Sequence, residues 1–151
     1  MAQSSGDYIA NTDTTNVKGI RTMHATSIPA GYKSLLSDET RQAAKALRLA
    51  LEPFVALNPT IPASYIISFL TVAEKEGRPV SEYANEVGVY KAVMTRHLLD
   101  MGERDRHGGE GMNIVEQRRD RKDLRINRTF ISEKGATLLS KVRRSWELSR
   151  K

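Results

Sequence analysis

The sequence predicts a mainly α-helical fold with one small β-hairpin, preceded by a polar arm. Three observations predict it. Apolar residues recur at helical spacing in successive segments between residues 38 and 102, and again after residue 132. Two short apolar runs flank a polar, basic turn at Arg119 to Asp123. Residues 1–34 are rich in Ser, Thr, Asn and Gly and show no sustained period, so a mobile arm is expected there.

The elements follow in order. Ser37 or Asp38 suits a helix N-cap, and Asp38 and Glu39 suit the positive end of a helix. Ala43, Ala44, Leu47, Ala50, Leu51, Phe54 and Val55 then mark one face of a helix over 38–57. Pro53 is expected to bend it, and Asn58-Pro59 to end it. Pro62 opens a second helix, with Ile66, Phe69, Leu70 and Ala73 on one face and Gly77 as its stop. A short third helix is expected from Ser81 as N-cap to Gly88. A fourth, about 90–102, places Val93, His97, Leu98 and Met101 on one side. Residues 103–113, with three glycines among charges, read as a flexible surface loop. They lack the spacing of a phosphate-binding loop. Residues 114–118 and 125–131 read as strands, resting on Ile114, Val115, Ile126, Phe130 and Ile131. Ser132 caps a last helix whose stripe is Leu138, Leu139, Val142 and Trp146.

The 151 residues allow one domain, or one domain with a tail: an arm over 1–34 and a body over 35–151. The absence of Cys excludes a disulfide scaffold, a Cys-based zinc site and a cysteine nucleophile. His24, His97 and His107 have no paired-ligand spacing, so no metal site and no cofactor are expected. No Ser-His-Asp order or nucleotide fingerprint has a supporting context, so no catalytic residue is assigned. No apolar stretch nears the roughly 18–20 residues of a membrane span. Met1 to Gly6 carry neither the charged nor the apolar region of a secretory signal, so a cytoplasmic location is expected.

The net charge is +6, and its distribution is uneven. Residues 90–151 hold sixteen bases against nine acids, while residues 59–89 carry a net −2. Within the basic part, Arg118, Arg119, Arg121, Lys122, Arg125 and Arg128 form one cluster on the expected hairpin. A localised cluster points to an anionic partner more sharply than total charge does.

A helix-turn-helix followed by a hairpin is the layout of a winged helix. Its second helix fits the major groove, about 12 Å wide, and the hairpin reaches the adjacent backbone or minor groove. Arg is favoured in the narrow minor groove of A·T tracts by their negative potential. Tyr90, Lys91, Thr95 and Arg96 lie on the polar side of the candidate recognition helix. Lys91 and Arg96 can donate to guanine O6 and N7 or to phosphate, and Thr95 can meet a thymine methyl group or a phosphate.

The stretch Asp123-Leu124-Arg125 through Ile131-Ser132-Glu133-Lys134-Gly135 resembles the wing motif of the multiple-antibiotic-resistance regulator (MarR) family. That motif is D-x-R, five residues, an aliphatic residue, Ser or Thr, two more, and Gly. Val89 to Arg96 is similar to the family's recognition-helix start, and Val80 to Ala84 with Gly88 to the preceding helix and turn. The resemblance covers about residues 60–140. It implies a sequence-specific double-stranded DNA-binding regulator, a repressor, acting as a homodimer. It implies that Arg125 enters the minor groove, that Asp123 holds the Arg125 guanidinium by an ion pair, and that Arg118, Arg119, Arg121 and Lys122 belong to the basic wing. Many relatives take small aromatic or anionic effectors, and no effector is identified here.

Two features depart from the family pattern. Glu103 to Asn113 insert about eight residues where relatives have a short link, a size of loop tolerated thermodynamically. Sixteen residues follow Gly135, enough for one C-terminal helix where relatives carry a pair. Dimerisation is therefore expected to use residues 38–57 and 136–151. Two alternatives stay open on the sequence: a winged-helix protein-interaction module, and a replication or nucleoid protein that binds DNA without promoter specificity.

Overall fold

The computed structural model describes residues 29–150, so most of the expected arm over 1–34 lies outside the described residues. The chain divides into two units between Leu35 and Leu36. In the first, the described residues make a turn in which the Tyr32 N–H donates to the Pro29 carbonyl at 3.1 Å. The second contains α1 (Asp38–Leu57), α2 (Ala63–Glu74), β1 (Arg78–Pro79), α3 (Val80–Val87), α4 (Lys91–Met101), β2 (Val115–Arg119), β3 (Asn127–Ile131) and α5 (Glu133–Ser149). It is a mainly helical winged helix-turn-helix with a three-stranded antiparallel sheet in the order β1-β3-β2.

Ser37 caps α1 by accepting the Thr40 N–H at 3.2 Å. The helix runs on through Pro53 to Leu57. Only Ala46, Ala50 and Phe54 are buried along it, one residue per turn, where α1 packs on α5. The apolar face expected from the sequence is wider than this. Leu47 is 57% exposed and Val55 48%, so its outer half has no cover among the described residues.

Beneath α1 the core is made by Phe54, Phe69, Val72, Tyr83, Met94, Leu98, Met101, Ile114 and Val115. Phe54 and Phe69 meet edge to face at 5.8 Å. Met94 is fully buried and Val93 only half-buried, so the packed side of α4 is Met94, His97, Leu98 and Met101. Tyr83 ties the layers together, its hydroxyl donating to the Lys75 carbonyl at 2.7 Å and accepting the Arg78 N–H at 3.2 Å.

Several boundaries differ from the sequence reading. Pro79, not Ser81, is the N-cap of α3. Arg78 and Pro79 pair with Thr129 and Arg128 as β1, so the chain is still extended at Pro79 and turns into the helix immediately after it. The hairpin strands start later than expected, at Val115 and Asn127, the second because the 120–126 segment is closed by its own turn bonds. Residues 103–113 are a built loop among the described residues. Asp105 Oδ1 accepts the N–H groups of His107 at 2.8 Å and Gly109 at 2.9 Å. The Met112 and Ile114 N–H groups cap α4 by donating to the Asp100 and Met101 carbonyls at 3.0 and 2.8 Å. No helix among the described residues is long and apolar enough to cross a membrane.

Candidate nucleic-acid interface

Helix α3 ends at Gly88, whose φ of +76° is the left-handed conformation that glycine adopts without strain. The chain then re-enters a helix at Lys91, with Tyr90 as an extended N-cap that is 86% exposed. This turn presents the first residues of α4 to solvent while Met94, His97, Leu98 and Met101 anchor its other side. Lys91 and Arg96 are exposed. The Thr95 hydroxyl donates back to the Lys91 carbonyl at 2.8 Å, so its hydrogen is already committed and its methyl group and lone pairs remain.

A groove separates α4 from the hairpin. It is lined by Lys91 and Thr95 from the helix, by Gln117, Arg125 and Asn127 from the hairpin, and by Ser81 from α3. Three of the residues singled out in the sequence thus meet in one place: Lys91, Thr95 and Arg125. The cations Arg118, Arg119, Arg121 and Lys122 line a separate hollow with Asp120, Arg128 and Phe130.

The strand register explains the separation of Arg118. Gln117 pairs with Thr129 and Arg119 with Asn127, whereas Glu116 pairs with Phe130 and Arg118 with Arg128. Side chains alternate faces along a strand and paired residues share a face. Arg118 therefore lies on the same face as Phe130, stacked over its ring at 5.2 Å and ion-paired with Glu116.

Asp120 organises the turn. Its Oδ1 accepts the N–H groups of Lys122 at 2.6 Å and Asp123 at 3.1 Å, and its Oδ2 pairs with the Arg128 guanidinium. Arg128 also donates to the Gly77 carbonyl at 2.7 Å, tying the wing to the end of α2. The Arg128 bond, then the two backbone bonds, hold the Asp120 carboxyl down at about 2. Asp123 does not play the part the resemblance implied. Its Oδ1 accepts the Arg125 backbone N–H at 3.0 Å, and among the described residues no ion pair joins it to the Arg125 guanidinium. An Asp that bends back onto an N–H two residues on makes a turn, and its carboxylate is then aimed at the backbone. The carboxylate–guanidinium clamp in this wing is Asp120 with Arg128. Sequence reasoning missed Asp120, Gln117 and Asn127. The Asp120-x-x-Asp123 spacing was the available signal for the turn.

Behind α4 lies a polar cluster. The Ser68 hydroxyl donates to the Ser64 carbonyl at 2.9 Å and meets His97 Nδ1 at 2.8 Å, so it accepts the Nδ1 proton. The Tyr65 ring lies 4.4 Å from the His97 ring, and its hydroxyl donates to Asp100 Oδ2 at 2.6 Å. Burial pushes His97 below the usual histidine range, against the opposing pull of Asp100. Burial acts to raise the Asp100 carboxyl but is outweighed by the Tyr65 hydroxyl and the Arg106 N–H, leaving it lowered. No group of three or more metal-ligating side chains occurs among the described residues.

No family model and no curated protein matches the chain. Solved structures match its fold. A MarR transcriptional regulator from Methanosarcina mazei Go1 is 15% identical, with 72% of this chain and 71% of that chain covered at a TM-score of 0.52. The YusO protein from Bacillus subtilis is 14% identical over 72% of this chain and 70% of that one, at 0.54. RV1404 from Mycobacterium tuberculosis is 9% identical over 79% and 82%, at 0.59. The chain thus has the winged-helix fold found in MarR transcriptional regulators, and at these identities the likeness is one of fold.

Proposed function

We propose that this chain is a sequence-specific double-stranded DNA-binding transcriptional regulator, acting as a repressor in the cytoplasm. The observation that carries the reading is the groove in which Lys91 and Thr95 face Arg125. Helix α4 enters the major groove, where Lys91 and Arg96 donate to guanine edges or phosphates and the Thr95 methyl group meets a thymine methyl. Tyr90 contacts the backbone at the groove edge. The wing lies along the adjacent minor groove with Arg125 in it, and Arg119, Arg121 and Lys122 reach the flanking phosphates. Asp120 and Asp123 support the wing by fixing its turn before DNA arrives, which lowers the ordering cost of binding.

The working unit is a homodimer. The outer half of the α1 stripe, Leu47 and Val55, is continuous in character with exposed Trp146 and Leu148 of α5. A second copy covers this apolar surface and sets two recognition helices about one helical turn of DNA apart. The test is duplex binding by Arg125→Ala. A loss of about ten- to a hundredfold with an intact fold is expected, the range for a lost base or groove contact. Unchanged affinity at physiological salt would overturn the role of the wing.

A further inference from the structure

The wing tip carries one residue that the electrostatic account leaves unused. From Arg119 to Arg125 every residue is charged except Leu124. Leu124 is 67% exposed and follows Asp123 in a tight turn closed by the Ile126 N–H donating to the Asp123 carbonyl at 3.0 Å. That position accepts most residue types, so the turn itself does not call for a leucine. The turn is held from both sides, by Asp120 on the Lys122 and Asp123 N–H groups and by Asp123 on the Arg125 N–H. An apolar side chain is thus fixed outward, in water, between Lys122 and Arg125.

We propose that Leu124 is an apolar wedge that enters the minor groove beside Arg125 and partly opens one base step, bending the duplex. This rests on the DNA-binding reading above. The flanking cations say what covers the side chain, because a polyanion draws Arg125 into its minor groove and Lys122 to the phosphate wall, which carries Leu124 to the groove floor. The floor is lined with base-edge acceptors, adenine N3 and thymine O2. A leucine covering them strips their water and returns no hydrogen bond. The apolar surface within reach is the face of a base in a partly unstacked step. Leu is among the side chains that serve as such wedges in proteins that kink DNA. Pyrimidine–purine steps open most readily, so such a step is favoured under the wing without any hydrogen bond to it.

The experiment uses the full chain and a duplex selected by it from a random pool. Affinity is measured by fluorescence anisotropy, and the bend by energy transfer between dyes on the duplex ends. Leu124→Ala is expected to bind about tenfold more weakly, the effect of withdrawing about two methylene equivalents from an apolar contact. It straightens the duplex and keeps the wild-type melting temperature. Leu124→Lys adds a cation yet binds no better than Leu124→Ala. Two results overturn the wedge while leaving the DNA-binding reading standing. One is an unchanged bend with Leu124→Ala. The other is tighter binding by Leu124→Lys with a salt dependence steeper by about 0.9 in log–log slope, the mark of one more phosphate contact. A wild-type chain that selects no duplex overturns both.

Discussion

Gly135→Ala inverts an ordinary expectation. Gly135 sits in the first turn of α5, where alanine is normally the better helix former by about 1 kcal/mol. Here its surroundings leave no room. Its N–H donates to Ser132 Oγ at 3.0 Å, and the same Ser132 hydroxyl donates to the Asn113 carbonyl at 2.7 Å. The Ser132 N–H reaches the Ile114 carbonyl at 3.2 Å. These bonds draw α5 onto the start of β2, so a methyl group on Gly135 overlaps the Ile114 carbonyl oxygen and stands 2.9 Å from Ile131 Cγ2. The obstacle is backbone, which cannot swing aside as a long side chain can. Overpacking costs about 1–3 kcal/mol where side chains can adjust, and this site belongs at or above the upper end. Set against the helix-propensity gain, the net loss is about 2 kcal/mol. For a body of this size that corresponds to a fall in Tm of roughly 6–12 °C. Thermal and urea unfolding followed by circular dichroism measure it, with Ala136→Gly on the exposed side of the same turn as a control. A Gly135→Ala protein as stable as the wild type would refute the close approach of α5 to β2.

Three further outcomes follow from the same geometry. Asp120 has a folded pKa of about 2 against an ordinary 3.8. Its contribution is therefore present above the ordinary value and lost as pH falls from there through about 2; Asp120→Asn should lack that part of the acid transition and show a more mobile wing by amide exchange. His97 is held below the histidine range by burial, so the unfolded chain binds the extra proton first. Stability should fall as pH drops from about 6.5 toward the lower folded value, and His97→Asn should flatten that limb in pH-dependent urea titrations. Leu47→Glu combined with Trp146→Glu should turn a dimer into a monomer in sedimentation velocity without loss of helix, since both side chains are exposed in the single chain; a dimer that persists would place the interface elsewhere.

How far the sequence alone reached varies by element. The helices α1, α2, α4 and α5 were legible because each buries a stripe at helical spacing, and α1 and α5 also carry a serine N-cap. Strand β1 was not legible. Arg78-Pro79 is two residues long, and it is a strand only because β3 lies beside it. The same tertiary pairing moved the start of α3 from Ser81 to just after Pro79. The glycine-rich composition of 103–113 hid a loop built on Asp100 and Asp105, whose role depends on where α4 ends. In the candidate site, chain order was enough to bring Lys91 and Thr95 opposite Arg125. It did not separate Arg118 from Gln117, because a one-residue step along a strand changes the face. The Ser132-x-x-Gly135 spacing was visible as a motif, and the structure supplies its cause: a cap that also grips β2, and a glycine where no side chain fits.

The central claim is that α4 and the wing read one DNA duplex together, twice per dimer. Selection of bound duplexes from a random pool, followed by hydroxyl-radical footprinting of the best one, tests it most directly. The account predicts a palindromic site with half-sites about one helical turn apart. Sugars should be protected across the adjacent minor groove, and Arg125→Ala should erase that protection. Recovery of sequences with no shared pattern, or a footprint that Arg125→Ala leaves unchanged, would contradict it.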